Sequence, residues 1–293
     1  MKQLLLIINP NSGTRKAAKN LAEIIAVFNR AGYAVRVHIT AGPGDAAEVV
    51  RGIQEDVDLL VCCGGDGTLN ETITGLMALG RAIPLGYIPA GSTNDFANAL
   101  HLSSNVIEAA QQIVDGTAHL YDVGRFGGRY FAYVASFGAF TRASYTTPQN
   151  IKNALGHVAY LLEGIQELSG IHPIHVRLEL EDEVLEDEYL FGAVCNSTSV
   201  GGLLTLDPRL VDMGDGQFEL LLIRTPRDLQ ELHECVMALR SQNYDCGTIT
   251  FRKTSALRVI TDPGMTWSLD GERAQGGDLI SIENLHRKIS LIH

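Results

Sequence analysis

The stretch Val61-Cys62-Cys63-Gly64-Gly65-Asp66-Gly67-Thr68-Leu69-Asn70 decides the fold. The apolar run Leu59 to Cys63 predicts a buried strand, and Leu69 to Leu79 predicts a helix, so a glycine-rich turn joins them. Glycine lets the backbone approach a ligand closely, and the first N–H groups of a helix lie at the positive end of its dipole. A strand, a glycine turn and a helix N-terminus together predict a phosphate-binding loop.

Asp66 adds a carboxylate to a loop that otherwise suits phosphate. This combination makes sense if Mg²⁺ lies between the two anions, because Mg²⁺ is usually held by one or two carboxylates together with phosphate oxygens. The alternative is a tight connection between strand and helix in which Asp66 only caps the helix.

The first part of the chain alternates strands and helices, which predicts an α/β domain with a parallel sheet and helices on both faces. The predicted strands are Leu4–Ile8, Tyr33–Ile39, Val57–Cys63 and Ile83–Ile88. The predicted helices are Arg15–Arg30, Asp45–Gln54 with Asp45 as its cap, Leu69–Leu79, Thr93–Leu100 and Val106–Val114.

A polar, glycine-bearing loop follows each of these strands, at the sheet edge where parallel sheets bind ligands. Any one of these loops would be an ordinary turn, but their convergence predicts a site. They are Asn9–Thr14, Thr40–Asp45, Gly64–Asn70 and Pro89–Phe96.

From about His119 onward the pattern changes to many short strands, which predicts an antiparallel β-sandwich or a related all-β domain. The predicted strands are Leu120–Arg125, Arg129–Phe137, Ile174–Leu180, Tyr189–Asn196, Phe218–Ile223, Thr248–Thr254, Ala256–Ile260, Met265–Leu269, Leu279–Ile282 and Lys288–Ile292; the predicted helices are Asn153–Leu168 and Pro226–Leu239. The acidic run Glu179–Val184 predicts a solvated hairpin tip. We therefore expect domains at 1–120 and 121–293, with the last strand able to pack back against the first domain.

Three segments of the second domain could carry chemistry. The loop Asp207–Gln217, with three aspartates and two glycines, could hold a hard cation, although Asp-Gly is also a hairpin signal and the residues alone favour a hairpin. Glu272 in Asp270-Gly271-Glu272 could be a general base or an exposed turn acid. His172 and His175 cannot share one face of a strand, so we interpret both as structural.

Composition excludes several classes of protein. The net charge of −11 argues against general nucleic-acid binding, and no apolar run is long enough to span a membrane. Membrane contact would need a local basic patch, for which Arg15, Lys16 and Lys19, or Arg125 and Arg129, are candidates. Five scattered cysteines predict reduced thiols in a cytoplasmic protein, and Met1–Pro10 predicts a first strand, not a signal peptide.

The familiar motifs of other nucleotide enzymes and of hydrolases are absent from the sequence. It lacks the P-loop, the Gly-x-Gly-x-x-Gly dinucleotide fingerprint and the Gly-x-Ser-x-Gly nucleophile elbow.

The motifs that are present, taken in order, resemble the catalytic-domain family of diacylglycerol kinases, in its soluble bacterial branch. The resemblance covers nearly the whole chain, with Ser92 where the family usually has threonine. The matching segments are Asn9-Pro10-x-Ser12-Gly13, Gly64–Asn70, Gly91-Ser92-Thr93-Asn94-Asp95-Phe96, Asn196 with Gly201-Gly202, Pro208 with Asp215-Gly216, and Asp270-Gly271-Glu272. The Gly-Gly-Asp-Gly tetrad alone is shared with NAD kinases and phosphofructokinases.

The resemblance implies ATP and Mg²⁺ in a cleft between an NAD-kinase-like or phosphofructokinase-like α/β domain and a β-sandwich. It implies that Glu272 is the general base and Asp66 a further catalytic group. The residues it places at the nucleotide are Asn9, Pro10, Ser12, Gly13, Thr40, Gly64, Gly65, Asp66, Gly67, Thr68, Leu69, Asn70, Ser92 and Asp95. It places a second Mg²⁺ at Asp215 with the backbone carbonyls of Asp212 and Gln217, linked to Asp66 and Asp95 through water.

The implied activity is phosphoryl transfer from ATP to a lipid alcohol, foremost diacylglycerol. The implied location is the cytoplasm, with peripheral contact at the inner membrane face; a homodimer is an option that the sequence leaves open. Phosphatidylglycerol, ceramide-like and sphingoid alcohols are alternative substrates. An NAD kinase, a kinase of a small polyol, and a nucleotide-binding regulatory protein without turnover are the alternative functions.

Overall fold

The computed structural model describes residues 1–13, 15–138, 173–200 and 204–293. It divides into two compact units, the first formed by Met1–Val123 with His286–His293 and the second by Gly124–Leu285. The chain therefore leaves the first unit once and returns to it at its end. The predicted helix Asn153–Leu168, the Gly201-Gly202 pair and His172 lie outside the described residues.

The first unit contains a parallel sheet in the order β2-β1-β3-β4, which the end of β17 extends beside β4. The strands are β1 Lys2–Ile8, β2 Tyr33–Ile39, β3 Leu59–Gly64, β4 Leu85–Pro89 and β17 Leu279–Ile292. The helices are α1 Lys16–Lys19, α2 Leu21–Arg30, α3 Asp45–Arg51, α4 Asp66–Leu79, α5 Asp95–Ala99 and α6 Val106–Asp115. The predicted parallel α/β arrangement is confirmed.

Both faces of this sheet are buried. Leu4, Leu6 and Ile8 of β1 share one core with side chains of α2 and α6. Successive strand residues point to opposite faces, so the equally buried Leu5 and Ile7 show that the other face is covered too. Helix α4 contacts β3 and α3, which provides cover for the central strands.

Three helix boundaries differ from the prediction. Helix α4 begins at Asp66, three residues before the predicted Leu69, because its first turn accommodates Gly67. The predicted helix Arg15–Arg30 is interrupted at Asn20. Asp45 is the first residue of α3 and not its cap: the carboxylate of Glu71 accepts the N–H groups of Gly44 and Ala46 at that end instead.

The second unit is built from antiparallel strands. The strands are β5 Ala118–Phe126, which begins in the first unit, β6 Arg129–Phe131, β7 Val134–Gly138, β8 Ile174–Glu179, β9 Val184–Cys195, β10 Ser199–Val200, β11 Leu204–Thr205, β12 Phe218–Arg224, β13 Ile249–Thr254, β14 Ala256–Thr261, β15 Thr266–Leu269 and β16 Glu272–Gln275. Strand β9 pairs with β8 along its first half and with β7 and β12 along its second half. The predicted antiparallel architecture of the C-terminal part is confirmed.

Some strand boundaries in this unit were wrong. The predicted strand Arg129–Phe137 is broken at Ala132 and Tyr133, and the two predicted C-terminal strands are parts of the single strand β17. The acidic run forms the tip of the β8–β9 hairpin, as predicted.

The core of the second unit surrounds Trp267, which is fully buried. Its ring lies edge-on to Phe126 and Phe137, with centroid distances of 4.9 and 5.0 Å. Side chains from β7, β8, β12, β14, β15 and β17 join this core.

Helix α7, Leu229–Ser241, has a well-defined N-terminus. The N-cap Asp228 accepts the N–H of Glu231, and the carboxylate of Glu231 accepts the N–H of Arg227, the residue before the N-cap. Hydrogen bonds from Arg224, and next from Arg227, hold the pKa of the Glu231 carboxyl well below its usual range. Among the described residues, no helix is both long and apolar enough to cross a bilayer.

Candidate functional site

Three of the four predicted loops meet at the carboxyl edge of the parallel sheet. A Cβ atom on Gly13 would lie 2.5 Å from the carbonyl oxygen of Ala90, so the loop after β1 touches the loop after β4. A Cβ atom on Gly91 would lie 2.5 Å from the Cα of Gly65, so the loop after β4 touches the loop after β3. These glycines let the three loops approach closely enough to form one surface.

The N-terminus of α4 lies within this surface. Its N-cap is Gly65, which has no side chain of its own to accept the first N–H groups of the helix. Helix N-termini of this kind favour anions, because N–H groups and the positive end of the helix dipole face the same space. Gly64 is required just before it, because a Cβ there would lie 2.6 Å from the side chain of Thr68.

Asp66 and Asp95 are brought together at the same edge. The carboxylate of Asp66 accepts the N–H of Asp95 at 3.1 Å and that of Phe96 at 3.4 Å, so Asp66 caps α5 while belonging to α4. Asp95 itself is buried. Two carboxylate-bearing residues thus lie near the N-terminal end of α4, and carboxylates together with phosphate oxygens are common ligands of Mg²⁺.

The other residues assigned to the nucleotide by resemblance have distinct surroundings. Asn9 donates to the hydroxyl of Thr68 at 3.1 Å, which ties the loop after β1 to α4. Ser12 is buried, Ser92 is exposed, and Pro10, Asn70 and Thr40 are partly exposed. Leu69 lies in the core, and its N–H is bonded to the Gly65 carbonyl within the helix.

Asp270 in the second unit has a structural role that sequence reasoning missed. Asp270 and Gly271 both have positive φ, 49° and 82°, and join β15 to β16 in a two-residue hairpin turn of type I′. The buried carboxylate accepts three consecutive N–H groups, from Ala132, Tyr133 and Val134, at 2.5, 2.9 and 3.0 Å. Asp270 therefore fixes the backbone where the chain passes from β6 to β7.

We expect Asp270→Asn to lower the free energy of unfolding by about 2–3 kcal/mol. Asparagine tolerates the same positive φ, so the change acts on the hydrogen bonds: one carboxylate oxygen becomes an NH₂ group facing backbone donors. Denaturant unfolding would measure the loss. The control is Asp262→Asn, where an exposed carboxylate accepts one N–H, from Gly264. Equal stability of the two variants would contradict the anchoring role.

Glu272 is the first residue of β16, directly after this turn. Its side chain is 52% exposed, and its carboxylate lies 4.0 Å from the guanidinium of Arg129. The carboxylate is therefore open to solvent. This exposure fits either interpretation of Glu272, as general base or as turn acid.

The Asp215 loop faces a lysine. One carboxylate oxygen of Asp215 accepts the N–H of Gln217 at 2.9 Å, and the other lies 3.1 Å from the ammonium of Lys253. Asp215-Gly216 does not close a hairpin, because the strand that follows it, β12, pairs with β9 and β13. Asp212 accepts the N–H of Gly214 in a local turn.

The ammonium of Lys253 also lies 3.3 Å from the buried carboxylate of Glu219. Burial raises the pKa of Glu219 to about 7, although Lys253 opposes the shift. Within the described part of the chain, no cluster of three His, Cys, Asp or Glu side chains is arranged to hold a metal. The oxygen donors of the loop suit Mg²⁺, but an ion bound at Asp215 would share the carboxylate with Lys253 or displace it.

The second candidate basic patch and the cysteines have clear surroundings in the structure. Arg125 is paired with Glu283, as Arg129 is with Glu272, so both cations of that proposed basic patch have carboxylate partners. All five cysteines are free thiols. Burial raises the pKa of the Cys62 thiol to about 12, which keeps it protonated.

Known proteins resemble the chain over its whole length. The family model for the diacylglycerol kinase catalytic domain matches residues 3–126. A Bacillus subtilis (strain 168) protein named diacylglycerol kinase is 34% identical over 100% of this chain and 96% of its own. A protein of the same name from Staphylococcus saprophyticus is 31% identical over 95% of this chain and 90% of its own.

Solved structures agree with this relationship. A crystal structure of a diacylglycerol kinase from Bacillus anthracis str. Sterne shares the fold, with a TM-score of 0.76 at 23% identity over 100% of this chain and 97% of that one. A second crystal structure from that organism has a TM-score of 0.80 at 25% identity, with the same coverage. Identity above 30% along nearly the full length of both partners leaves one conclusion: the chain belongs to the diacylglycerol kinase family.

Proposed function

We propose that the chain is an ATP-dependent lipid kinase that transfers the γ-phosphoryl group of ATP to the hydroxyl of diacylglycerol, giving phosphatidic acid. The observation that carries the proposal is the N-terminus of α4, which has a glycine N-cap, lies beside the close contacts of Gly13, Gly65 and Gly91, and is bordered by Asp66. That surface suits a polyphosphate. Membership of the family supports a kinase with an alcohol as acceptor.

In this proposal the first unit grips the nucleotide. In the proposed complex the N–H groups at the start of α4 bind phosphate oxygens, and the residues lining the nucleotide are Asn9, Pro10, Ser12, Gly13, Thr40, Ser92, Gly64 to Thr68 and Asn70. Leu69 lies in the core and supports the helix from within. A bound Mg²⁺ would supply positive charge that neutralises the triphosphate, and the carboxylates of Asp66 and Asp95 are the groups that would hold it. Asp215 with the carbonyls of Asp212 and Gln217 would hold a second, structural ion.

The second unit supplies the base. The acceptor oxygen attacks the γ-phosphorus, the bond to the β-phosphate oxygen breaks, ADP leaves, and the hydroxyl proton passes to the carboxylate of Glu272. Phosphoryl transfer depends chiefly on positioning and charge neutralisation, so little further covalent chemistry is asked of the protein. Because the acceptor is a lipid, the enzyme would work as a peripheral protein at the cytoplasmic face of the membrane.

A substrate panel tests the proposal. Purified protein with ATP and Mg²⁺ is given mixed micelles of diacylglycerol, phosphatidylglycerol, ceramide or sphingosine, and separately NAD, while ADP release is followed. We expect kcat/KM for diacylglycerol to exceed that for every other acceptor by about tenfold or more, a difference of about 1.4 kcal/mol. A preference for another lipid would identify that lipid, and not diacylglycerol, as the substrate. Turnover of NAD alone would overturn the proposal of a lipid kinase.

A further inference from the structure

Tyr87 is a buried tyrosine of β4 with a polar function inside the nucleotide-binding unit. Its side chain is 1% exposed. Its hydroxyl lies 3.3 Å from the carbonyl oxygen of Gly64 and 3.5 Å from the Oδ1 atom of Asn94. Both partners belong to the loops that form the proposed phosphate site.

The carbonyl of Gly64 is held from two sides. The N–H of Ala90 donates to it at 2.7 Å, and the Tyr87 hydroxyl is the second donor. A carbonyl oxygen has two lone pairs, so these two donors saturate it. The peptide bond is planar and trans, so fixing the Gly64 carbonyl also fixes the N–H of Gly65 on the opposite side of the same plane.

The side chain of Asn94 holds the facing loop. Its Oδ1 atom accepts the N–H of Gly91 at 2.9 Å, and its Nδ2 atom donates to the Gly91 carbonyl at 3.1 Å. Asn94 adopts the left-handed conformation, with φ 54° and ψ 49°, which asparagine tolerates better than most residues. Gly91 in turn packs on Gly65, so the Tyr87 hydroxyl contacts the partners on both sides of this glycine pair.

We propose that Tyr87 is a positioning residue for ATP: its hydroxyl orients the Gly64–Gly65 peptide so that the Gly65 N–H presents to a phosphate. This inference rests on the proposed function. Burial, and next the carboxylate of Asp66, raise the pKa of Tyr87 well above its usual value, so the hydroxyl stays a donor throughout the working pH range. The role requires no contact between Tyr87 and the nucleotide.

Tyr87→Phe tests the role, because it removes the hydroxyl and keeps the ring. Binding of a non-hydrolysable β,γ-imido analogue of ATP with Mg²⁺, and of adenosine, is measured by calorimetry for the wild-type protein and the variant. We expect the Kd of the ATP analogue to rise about fivefold, equivalent to about 1 kcal/mol, since Ala90 still holds the Gly64 carbonyl. Adenosine lacks phosphate, so its Kd should stay within about twofold; in turnover, KM for ATP should rise while kcat changes little.

Tyr189→Phe is the matched control, since Tyr189 is also a buried tyrosine but belongs to β9 of the second unit. It should leave both Kd values unchanged. If Tyr87→Phe binds the ATP analogue as tightly as the wild type, or loses adenosine and the analogue equally, Tyr87 only packs the core and the positioning role is overturned. If the wild-type protein itself binds no ATP analogue, the proposed function falls and the positioning role falls with it.

Discussion

Asp66→Asn should reduce turnover by about 10³-fold or more. The carboxylate lies at the anion-binding end of α4 and is proposed to hold Mg²⁺ on the triphosphate. A metal ion contributes several kcal/mol of charge stabilisation, and each 1.36 kcal/mol is a factor of ten in rate. An amide oxygen binds Mg²⁺ more weakly than a carboxylate, so half-maximal activity should also need more Mg²⁺.

Asparagine is chosen over alanine because of the hydrogen bonds that Asp66 makes. The carboxylate caps α5 by accepting the N–H groups of Asp95 and Phe96, and alanine would lose that contact as well as the charge. Asp95 and Phe96 donate to different oxygens of Asp66, so an asparagine Oδ1 atom can still accept one of the two N–H groups. The melting temperature without nucleotide should therefore fall less in Asp66→Asn than in Asp66→Ala. A steady-state assay over a Mg²⁺ titration measures the effect.

The control is Asp58→Asn. Asp58 lies just before strand β3, whereas Asp66 lies just after it. Asp58 also accepts a backbone N–H through its carboxylate, that of Gln3 at 2.6 Å. It lies at the amino end of the strand, where no phosphate is expected, so its turnover should remain normal. Near-normal activity of Asp66→Asn would remove the argument that this carboxylate links metal and phosphate.

The alternation of strands and helices in the first unit was predictable because hydrophobic periodicity reports it directly. Strand β2, Tyr33–Ile39, was predicted with its observed bounds. The convergence of the glycine loops followed from topology alone, since parallel strands end at one edge of the sheet. Glycine misled the prediction at one point: Gly65 and Gly67 suggested an extended loop, whereas α4 begins at Asp66.

What sequence could not show are contacts between distant residues. Asp270 accepts N–H groups from residues 136 to 138 positions earlier, and Glu71 caps a helix 25 to 27 positions earlier. No local pattern encodes such partners. The turn at Asp270-Gly271 did carry a local signal, because Asp-Gly favours type I′ hairpins.

The single strand β17 was predicted as two for a related reason. Its middle residues are polar, and polar residues in an apolar run suggest a turn. The strand continues because its two ends have different partners, β14 for the first residues and β4 for the last. Pairing across the sheet, rather than local propensity, decides the conformation there.

Glu272→Gln should lower kcat by about 10² to 10⁴-fold, the usual contribution of a general base, while the affinity for ATP stays unchanged. Glutamine is isosteric but cannot accept the proton of the attacking hydroxyl. The only ionic contact of Glu272 among the described residues is with Arg129 at 4.0 Å. Both side chains are about half exposed, so the substitution should change the free energy of unfolding little. A rate loss at unchanged melting temperature would therefore report chemistry and not folding.

Glu283→Gln provides a closely matched control. Glu283 pairs with Arg125 in the same unit, and the exposed fractions of its side chain and of the arginine, 42% and 44%, resemble the 52% and 48% of Glu272 and Arg129. Both substitutions remove one half-exposed ion pair, and the Glu283 pair is the closer of the two, at 2.5 Å against 4.0 Å, so any general effect of lost charge should be at least as large in the control. A kcat for Glu272→Gln within about threefold of the wild type would fall below the least that a general base contributes, and would leave Glu272 as an exposed acid beside the Asp270 turn.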